Sequence, residues 1–163
     1  MRKIMIVDDN YLSAEGIEKN IDWEVLNAEI VHICYNGTSA IEAMKNEPVD
    51  LIISDIEMPD LDGISMSRQA LDINPMVKII LISAYDKFEY ARRALLLGAL
   101  DYIEKPLDYA YLIQKVKNAF ALMEREQKNL QLLKQSRPLL IENFSVISLT
   151  VPGRRLPIVS NLI

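Results

Sequence analysis

The chain reads as an α/β protein, a (βα)5 alternation folded as a doubly wound, five-stranded parallel sheet with an extended C-terminal helix. Two observations predict this. Short apolar runs, such as Ile4-Met5-Ile6-Val7 and Ile79-Ile80-Leu81-Ile82, alternate with longer stretches of helical character, and such runs read as strands buried on both faces. Each run also ends in a polar residue. Asp8 and Asp9 follow the first, Asp55 follows Leu51-Ile52-Ile53-Ser54, Ser83 follows Ile82, and Lys105 follows Tyr102-Ile103-Glu104 and precedes Pro106. In an open parallel sheet the carboxyl ends of the strands share one edge, where ligands bind. Three carboxylates, a hydroxyl and an ammonium should therefore converge there.

The elements follow in order. Strand one spans about 3–7. Asn10 is placed to cap a helix over about 11–20 that turns Leu12 and Ile17 inward. Residues 21–26 connect it to strand two, about Ala28–Cys34. Asn36-Gly37-Thr38 is a turn and cap, and the helix after it closes at Pro48. Strand three is about Leu51–Ser54. A loop over Ile56–Gly63, with Asp60 and Asp62 as capping candidates, leads into a helix that ends near Asn74-Pro75. Strand four is about Val77–Ile82. A helix from about Lys87 to Leu97 stops at Gly98, a suitable C-terminal glycine. Strand five is about Leu100–Ile103, and a last helix starts near Asp108.

That last helix overruns the sheet. No proline or glycine occurs from Asp108 to Gln135. Ile113, Val116, Phe120, Met123 and Leu130 follow a heptad-like spacing, but Gln127 and Lys134 interrupt it. It is either a surface helix whose apolar face fades into solvent or a coiled-coil linker and dimer seam. Pro138 is expected to break it. The tail after it is apolar and short, with Phe144, Val146, Ile147, Leu149 and Val151 weakly strand-like. The division expected is a domain over 1–125, a helical linker over 126–137, and a tail over 138–163 without a core of its own.

The 163 residues carry a net charge of −5, which argues against a nucleic-acid footprint on this chain. The single cysteine, Cys34, excludes an internal disulfide and fits a reducing compartment. Met1-Arg2-Lys3 precedes an apolar run of only four residues, too short for a signal peptide. No stretch approaches a membrane span. A cytoplasmic protein without a membrane partner is expected.

Clustered carboxylates repel one another, and a divalent cation relieves the repulsion. Carboxylates with waters and a backbone carbonyl suit Mg²⁺. There is no His or Cys cluster to attract zinc, and the single histidine, His32, reads as a strand residue. A metal-held carboxylate beside a lysine and a hydroxyl is a plausible phosphoryl acceptor. Asp55 could attack phosphorus, Lys105 could pair with a phosphoryl oxygen, and Ser83 could hydrogen-bond another. The last contact would exist only after phosphorylation, which makes it an electrostatic switch.

Four segments carry a family resemblance: Ile6–Asn10, Ile53–Gly63, Ile82–Tyr85 and Gly98–Pro106. Together they resemble the receiver domain of bacterial two-component response regulators, over about residues 2–125. The resemblance implies the flavodoxin-like strand order 2-1-3-4-5. It implies that Asp55 is the phosphoacceptor and that Asp9 is a direct Mg²⁺ ligand. Asp8 would hold a metal-bound water, and the backbone carbonyl of Glu57 would be a further ligand. Ser83 would be the switch hydroxyl, Lys105 the phosphate partner, and Tyr102 an aromatic that rotates on activation. Pro59 and Gly63 would shape the loop after Asp55, and Glu57 and Tyr85 would tune phosphoryl lifetime. Tyr102 can equally be a side chain that simply packs on its strand.

The connector Ile21-Asp22-Trp23-Glu24, the stretch Tyr85–Ala91 and the long charged helix are similar to YesN-like receivers that precede an AraC-type DNA-binding domain. That similarity extends through Arg137–Phe144 and fails beyond it. No helix-turn-helix follows, so DNA binding is not assigned to this chain. The partners implied are a sensor histidine kinase and, on activation, a second copy of the chain. In a full-length protein the outcome would be transcription regulation. Catalysis would be limited to the chain's own phosphorylation and dephosphorylation.

Three other functions compete. A Mg²⁺-dependent phosphohydrolase resembling the haloacid dehalogenase superfamily would want an aspartate two residues after the nucleophile and its acidic pair late in the chain. Here Glu57 holds the first position and Asp8-Asp9 come first. A receiver-like domain that binds partners without phosphate is another, although all five core polar positions are filled. A flavodoxin-like nucleotide binder should show a phosphate-binding loop, and Asp8-Asp9 at the first turn would repel a phosphate.

Overall fold

Five strands lie side by side in the order β2-β1-β3-β4-β5. They are β1 (Arg2–Val7), β2 (Ala28–Cys34), β3 (Leu51–Asp55), β4 (Lys78–Ser83) and β5 (Asp101–Glu104), and every pairing between neighbours is parallel. The computed structural model describes residues 1–84, 96, 98 and 101–146, with 136–146 described by backbone alone. Four described helices accompany the sheet: α1 (Tyr11–Asn20), α2 (Gly37–Asn46), α3 (Gly63–Ile73) and α4 (Tyr109–Val146). The chain divides into two compact units, Met1–Leu122 and Met123–Ile163.

The strands form because apolar, largely β-branched runs can be covered on both faces. Met5, Val7, Ile52, Ile79 and Leu81 enter one buried cluster with Ala40, Ile41 and Met44 of α2 and Ile64, Met66 and Ala70 of α3. Side chains alternate along a strand, so Ile4, Ile6, Ile53, Ile80 and Ile82 face the other way, and they are equally buried. Ile82 lines one cavity with Ile17 and Tyr109, which places α1 and the start of α4 on that side.

Three helices begin as their side chains predict. Asn10 Oδ1 accepts from the backbone N–H of Leu12 and Ser13 at 3.0 and 3.3 Å. Asn36 Oδ1 accepts from Ser39 N at 2.8 Å, and Asp62 Oδ1 from Ser65 N at 2.8 Å. Asp108 does the same for α4, accepting from Ala110 N at 2.9 Å. Each satisfies donors that the first helical turn leaves open. Asp60 is not a cap but a turn residue with φ of +66°, a conformation its short polar side chain tolerates.

Two expectations fail. Leu12 points outward, 73 % exposed, and the buried side chains of α1 are Ala14 and Ile17. One inward stripe suffices for so short a helix, and Leu12 lies in its first turn, outside that stripe. Pro138 does not end the last helix, which continues to Val146 through Phe144. A proline removes one i→i−4 hydrogen bond, and the strong helix formers around it carry the remaining ladder. The inward face of α4 in the first unit is Leu112, Val116 and Ala119, at helical spacing. The helix expected over about Lys87–Leu97 and the tail at 147–163 lie outside the described residues. Gly98 has φ of +89°, a left-handed conformation that glycine adopts without strain.

Candidate functional site

The strand registers assemble the site. Val7 of β1 is level with Ser54 of β3, Asp55 with Ile82 of β4, and Ser83 with Glu104 of β5. One step beyond these rungs stand Asp8, Asp55, Ser83 and Lys105, so residues far apart in sequence share the carboxyl edge of the sheet. The chain runs from β1 out to β2 and returns to β3 on the other side of β1. A crevice opens at that reversal, with Asp8 and Asp9 on one wall and Asp55 on the other.

Oxygens of Asp8, Asp9 and Asp55 all lie within 4.8 Å of one another. Asp8 and Asp55 are buried, at 1 % and 7 % exposure, while Asp9 is exposed. Lys105 Nζ bridges the buried pair, donating to Asp55 Oδ2 at 3.0 Å and to Asp8 Oδ2 at 3.2 Å. The other oxygen of Asp8 accepts from Asn10 N at 2.9 Å, and that of Asp55 from Ile56 N at 2.8 Å. Among the described residues, three carboxylates against one ammonium leave a net negative site.

Burial pushes the Asp8 carboxyl above the usual aspartate range. The Asn10 N–H and the Lys105 charge pull it down, and the Asp55 charge pushes it up again. Burial pulls the Lys105 ammonium down, but its hydrogen bond to Asp55 and the charges of Asp55 and Asp8 outweigh that and hold it above an ordinary lysine. Burial likewise raises the Cys34 thiol, opposed by Ser39.

The donor set fits Mg²⁺. Carboxylate oxygens meet at a crevice without nitrogen or sulfur ligands, and the surplus negative charge is of the kind a small hard cation relieves. Glu57 follows in the loop after Asp55, its side chain half-buried.

That loop is held by close backbone approaches. Gly63 N donates to Ile56 O and Leu61 N to Pro59 O, both at 2.9 Å. A Cβ on Gly63 would meet the Asp55 carbonyl oxygen, and one on Gly37 the Leu61 carbonyl oxygen. Gly37 reads from sequence only as part of a turn, and nothing local in the chain signals that the β3–α3 loop packs on it. The Lys105–Pro106 peptide is cis, and Lys105 N donates to Ser83 O at 2.8 Å.

Ser83 is fully buried at the end of β4. Tyr102 is half-buried and packs against the core cluster. His32 sits within β2, its Nε2 3.6 Å from Glu47 Oε2 and away from the acidic cluster. Tyr85 lies outside the described residues. No helix among the described residues is long and apolar enough to cross a membrane.

A parallel sheet of this order, with acidic side chains and a lysine at the carboxyl edge of its strands, is the architecture of a receiver. The chain belongs to the response regulator receiver domain family, whose profile matches residues 4–117. That makes it a signalling domain of two-component response regulators rather than a metabolic enzyme. It is 29 % identical over 126 residues to the uncharacterized transcriptional regulatory protein YesN of Bacillus subtilis, covering 77 % of this chain and 34 % of that protein. It is 33 % identical over 116 residues to the chemotaxis protein CheY of Treponema pallidum, covering 70 % of this chain and 79 % of that one.

Among solved structures, the REC domain of AraT, a response regulator from Geobacillus stearothermophilus, superposes with a TM-score of 0.73 at 35 % identity. The match covers 77 % of this chain and 98 % of that one. A two component transcriptional regulator AraC from Clostridium phytofermentans gives 0.70 at 29 % identity, covering 79 % and 99 %. The chain spans 34 % of the length of YesN and 44 % of two response regulatory proteins of Staphylococcus epidermidis.

Proposed function

We propose that residues 1–125 are the phosphorylation switch of a two-component pathway, with Asp55 as the group that accepts phosphate from a sensor histidine kinase. The observation that carries this is the Asp55 carboxylate at the crevice, one oxygen fixed by Ile56 N and the other by Lys105. An Asp55 oxygen attacks phosphorus, the P–N bond of the phosphohistidine breaks, and its electron pair returns to the imidazole. The product is an aspartyl phosphate. Asp8, Asp9, Asp55 and the Glu57 carbonyl would hold Mg²⁺, which when bound neutralises charge on the phosphoryl oxygens. Lys105 then exchanges a carboxylate partner for a phosphoryl oxygen, and the Ser83 hydroxyl donates to another.

The bond from Ser83 to a phosphoryl oxygen can form only once the aspartyl phosphate exists, and making it would draw in the chain that follows β4. Tyr102, on the neighbouring strand, is the side chain whose packing would answer. The output is homodimerisation through this altered surface or through α4. Residues 126–137, within α4, act as a helical linker. In a longer protein resembling YesN, the consequence would be transcriptional control in the cytoplasm. The order of the groups along the chain, acidic pair first and Glu57 after Asp55, supports this reading over a phosphohydrolase.

The test is incubation with Mg²⁺ and acetyl phosphate, followed by intact mass. One phosphoryl adduct is expected, absent without Mg²⁺ and absent in Asp55→Asn. Failure of the folded protein to form it would leave a receiver that binds its partners without phosphate.

A further inference from the structure

We propose that Tyr11 and Tyr35 form a clasp that positions Asp9 for its divalent cation; this rests on the reading of the acidic cluster as a Mg²⁺ site. Asp8 and Asp55 are each fixed by a backbone N–H and by Lys105. Asp9 is exposed, and among the described residues its carboxylate accepts no hydrogen bond. Its position therefore depends on the backbone that carries it.

That backbone is tied to the end of β2 on both sides of Asp9. Before it, Asp8 N donates to Cys34 O at 3.1 Å. After it, the Tyr11 ring meets the Tyr35 ring, centroids 5.8 Å apart and planes tilted by 33°. Cys34 and Tyr35 are consecutive, so two adjacent residues at the end of β2 hold Asp8 on one side of Asp9 and Tyr11, two residues on, on the other. Asn10 cannot supply the second tie, because its side chain caps α1.

The rings are 59 % and 43 % exposed, so core formation does not explain their meeting. Their spacing and tilt fall where aromatic pairs attract. Holding a ligand arm in place before the metal arrives removes an ordering cost from binding, as outer-shell contacts do for metal ligands generally.

The experiment is calorimetric titration of the full chain with MgCl₂, for wild type, Tyr11→Ala, Tyr35→Ala, the double variant and Tyr35→Phe. Each alanine variant should weaken Mg²⁺ by roughly twofold to tenfold, the range such a ring pair supplies. The double variant should be no weaker than either single one, because both remove the same contact. Tyr35→Phe, which keeps the ring, should match wild type. Tyr35→Leu replaces Tyr35→Ala should the latter not fold. Wild-type affinity in the alanine variants, multiplicative losses in the double variant, or a weak Tyr35→Phe would each overturn the clasp. Wild type that takes no Mg²⁺ would overturn the reading of the cluster itself, and the clasp with it.

Discussion

Replacing Gly63 by alanine should damage both the fold and the proposed phosphoacceptor, because the backbone of Asp55 lies where the new methyl group must go. An ideal Cβ there would sit 3.0 Å from the Asp55 carbonyl carbon and 3.0 Å from Ile56 Cα, with the carbonyl oxygen nearer still. Non-bonded contacts with carbon are comfortable at about 3.5 Å, and the Asp55 carbonyl oxygen would lie far inside that distance, so the β3–α3 loop or the end of β3 must move by about 1 Å or more. Neither side yields easily. Gly63 N is bonded to Ile56 O, Ser54 Oγ to Asp55 O at 2.8 Å, and Ile56 N to Ile82 O at 2.9 Å. Overpacking of this kind costs roughly 1–3 kcal/mol, and alanine's better helix propensity returns at most about 1 kcal/mol. Urea unfolding followed by the single tryptophan, Trp23, should show a midpoint lower by about 1 M at ordinary slopes. Because a displacement near 1 Å can cost about 100-fold in rate, phosphorylation by acetyl phosphate should slow by about 10- to 100-fold even where the variant is fully folded. A variant with wild-type midpoint and rate would refute the reasoning, since the loop would then be free to give way.

Burial raises the Asp8 carboxyl above its usual 3.8. The folded state therefore binds that proton more tightly than the unfolded one, and stability from this group is lost as pH rises through the folded value. Asp8→Asn should relieve that burial cost and stabilise the metal-free protein at neutral pH, with the gain shrinking as pH falls; a melting curve series in EDTA that shows no gain at pH 7 would count against it. Lys105→Met should do the opposite to metal binding. It removes the cation that bridges Asp8 and Asp55, so Mg²⁺ should bind several-fold more tightly at low ionic strength, and calorimetry reporting equal or weaker binding would contradict the electrostatic account. Asn36→Ala strips the cap from α2 and should cost about 1 kcal/mol in denaturant unfolding while leaving Mg²⁺ affinity unchanged; an intact midpoint would show that Ser39 N finds another acceptor.

The parts of this structure legible in the sequence are those encoded by neighbours in the chain. Ile4–Val7, Leu51–Ser54 and Ile79–Ile82 declare buried strands by composition alone, and Asn10, Asn36 and Asp62 mark helix starts because a cap acts within three residues. The gathering of Asp8, Asp55, Ser83 and Lys105 followed from one topological rule. Strand order did not follow from the residues, only from family resemblance. Leu12 misled because periodicity in a ten-residue helix leaves its first turn undetermined. Pro138 misled because proline's penalty is local, whereas a long helix is decided by the sum of its residues. Gly37 against Leu61, Gly63 against Asp55 and Tyr11 against Tyr35 are contacts between separate segments, and no local pattern announces them.

Lys105 reaches Asp8 across 97 residues of sequence, and Asp8, Asp55 and Lys105 stand at the ends of three different strands. Nothing shorter than the complete sheet contains a functioning centre. During synthesis a nascent chain emerging towards β5 already exposes Asp55 but has not yet made the ammonium that steadies it. Chemical competence thus arrives late and all at once, with the last strand. On the function proposed above, a kinase meeting a half-made or locally unravelled copy would find an aspartate without its lysine, so phosphoryl transfer would favour molecules that have finished folding.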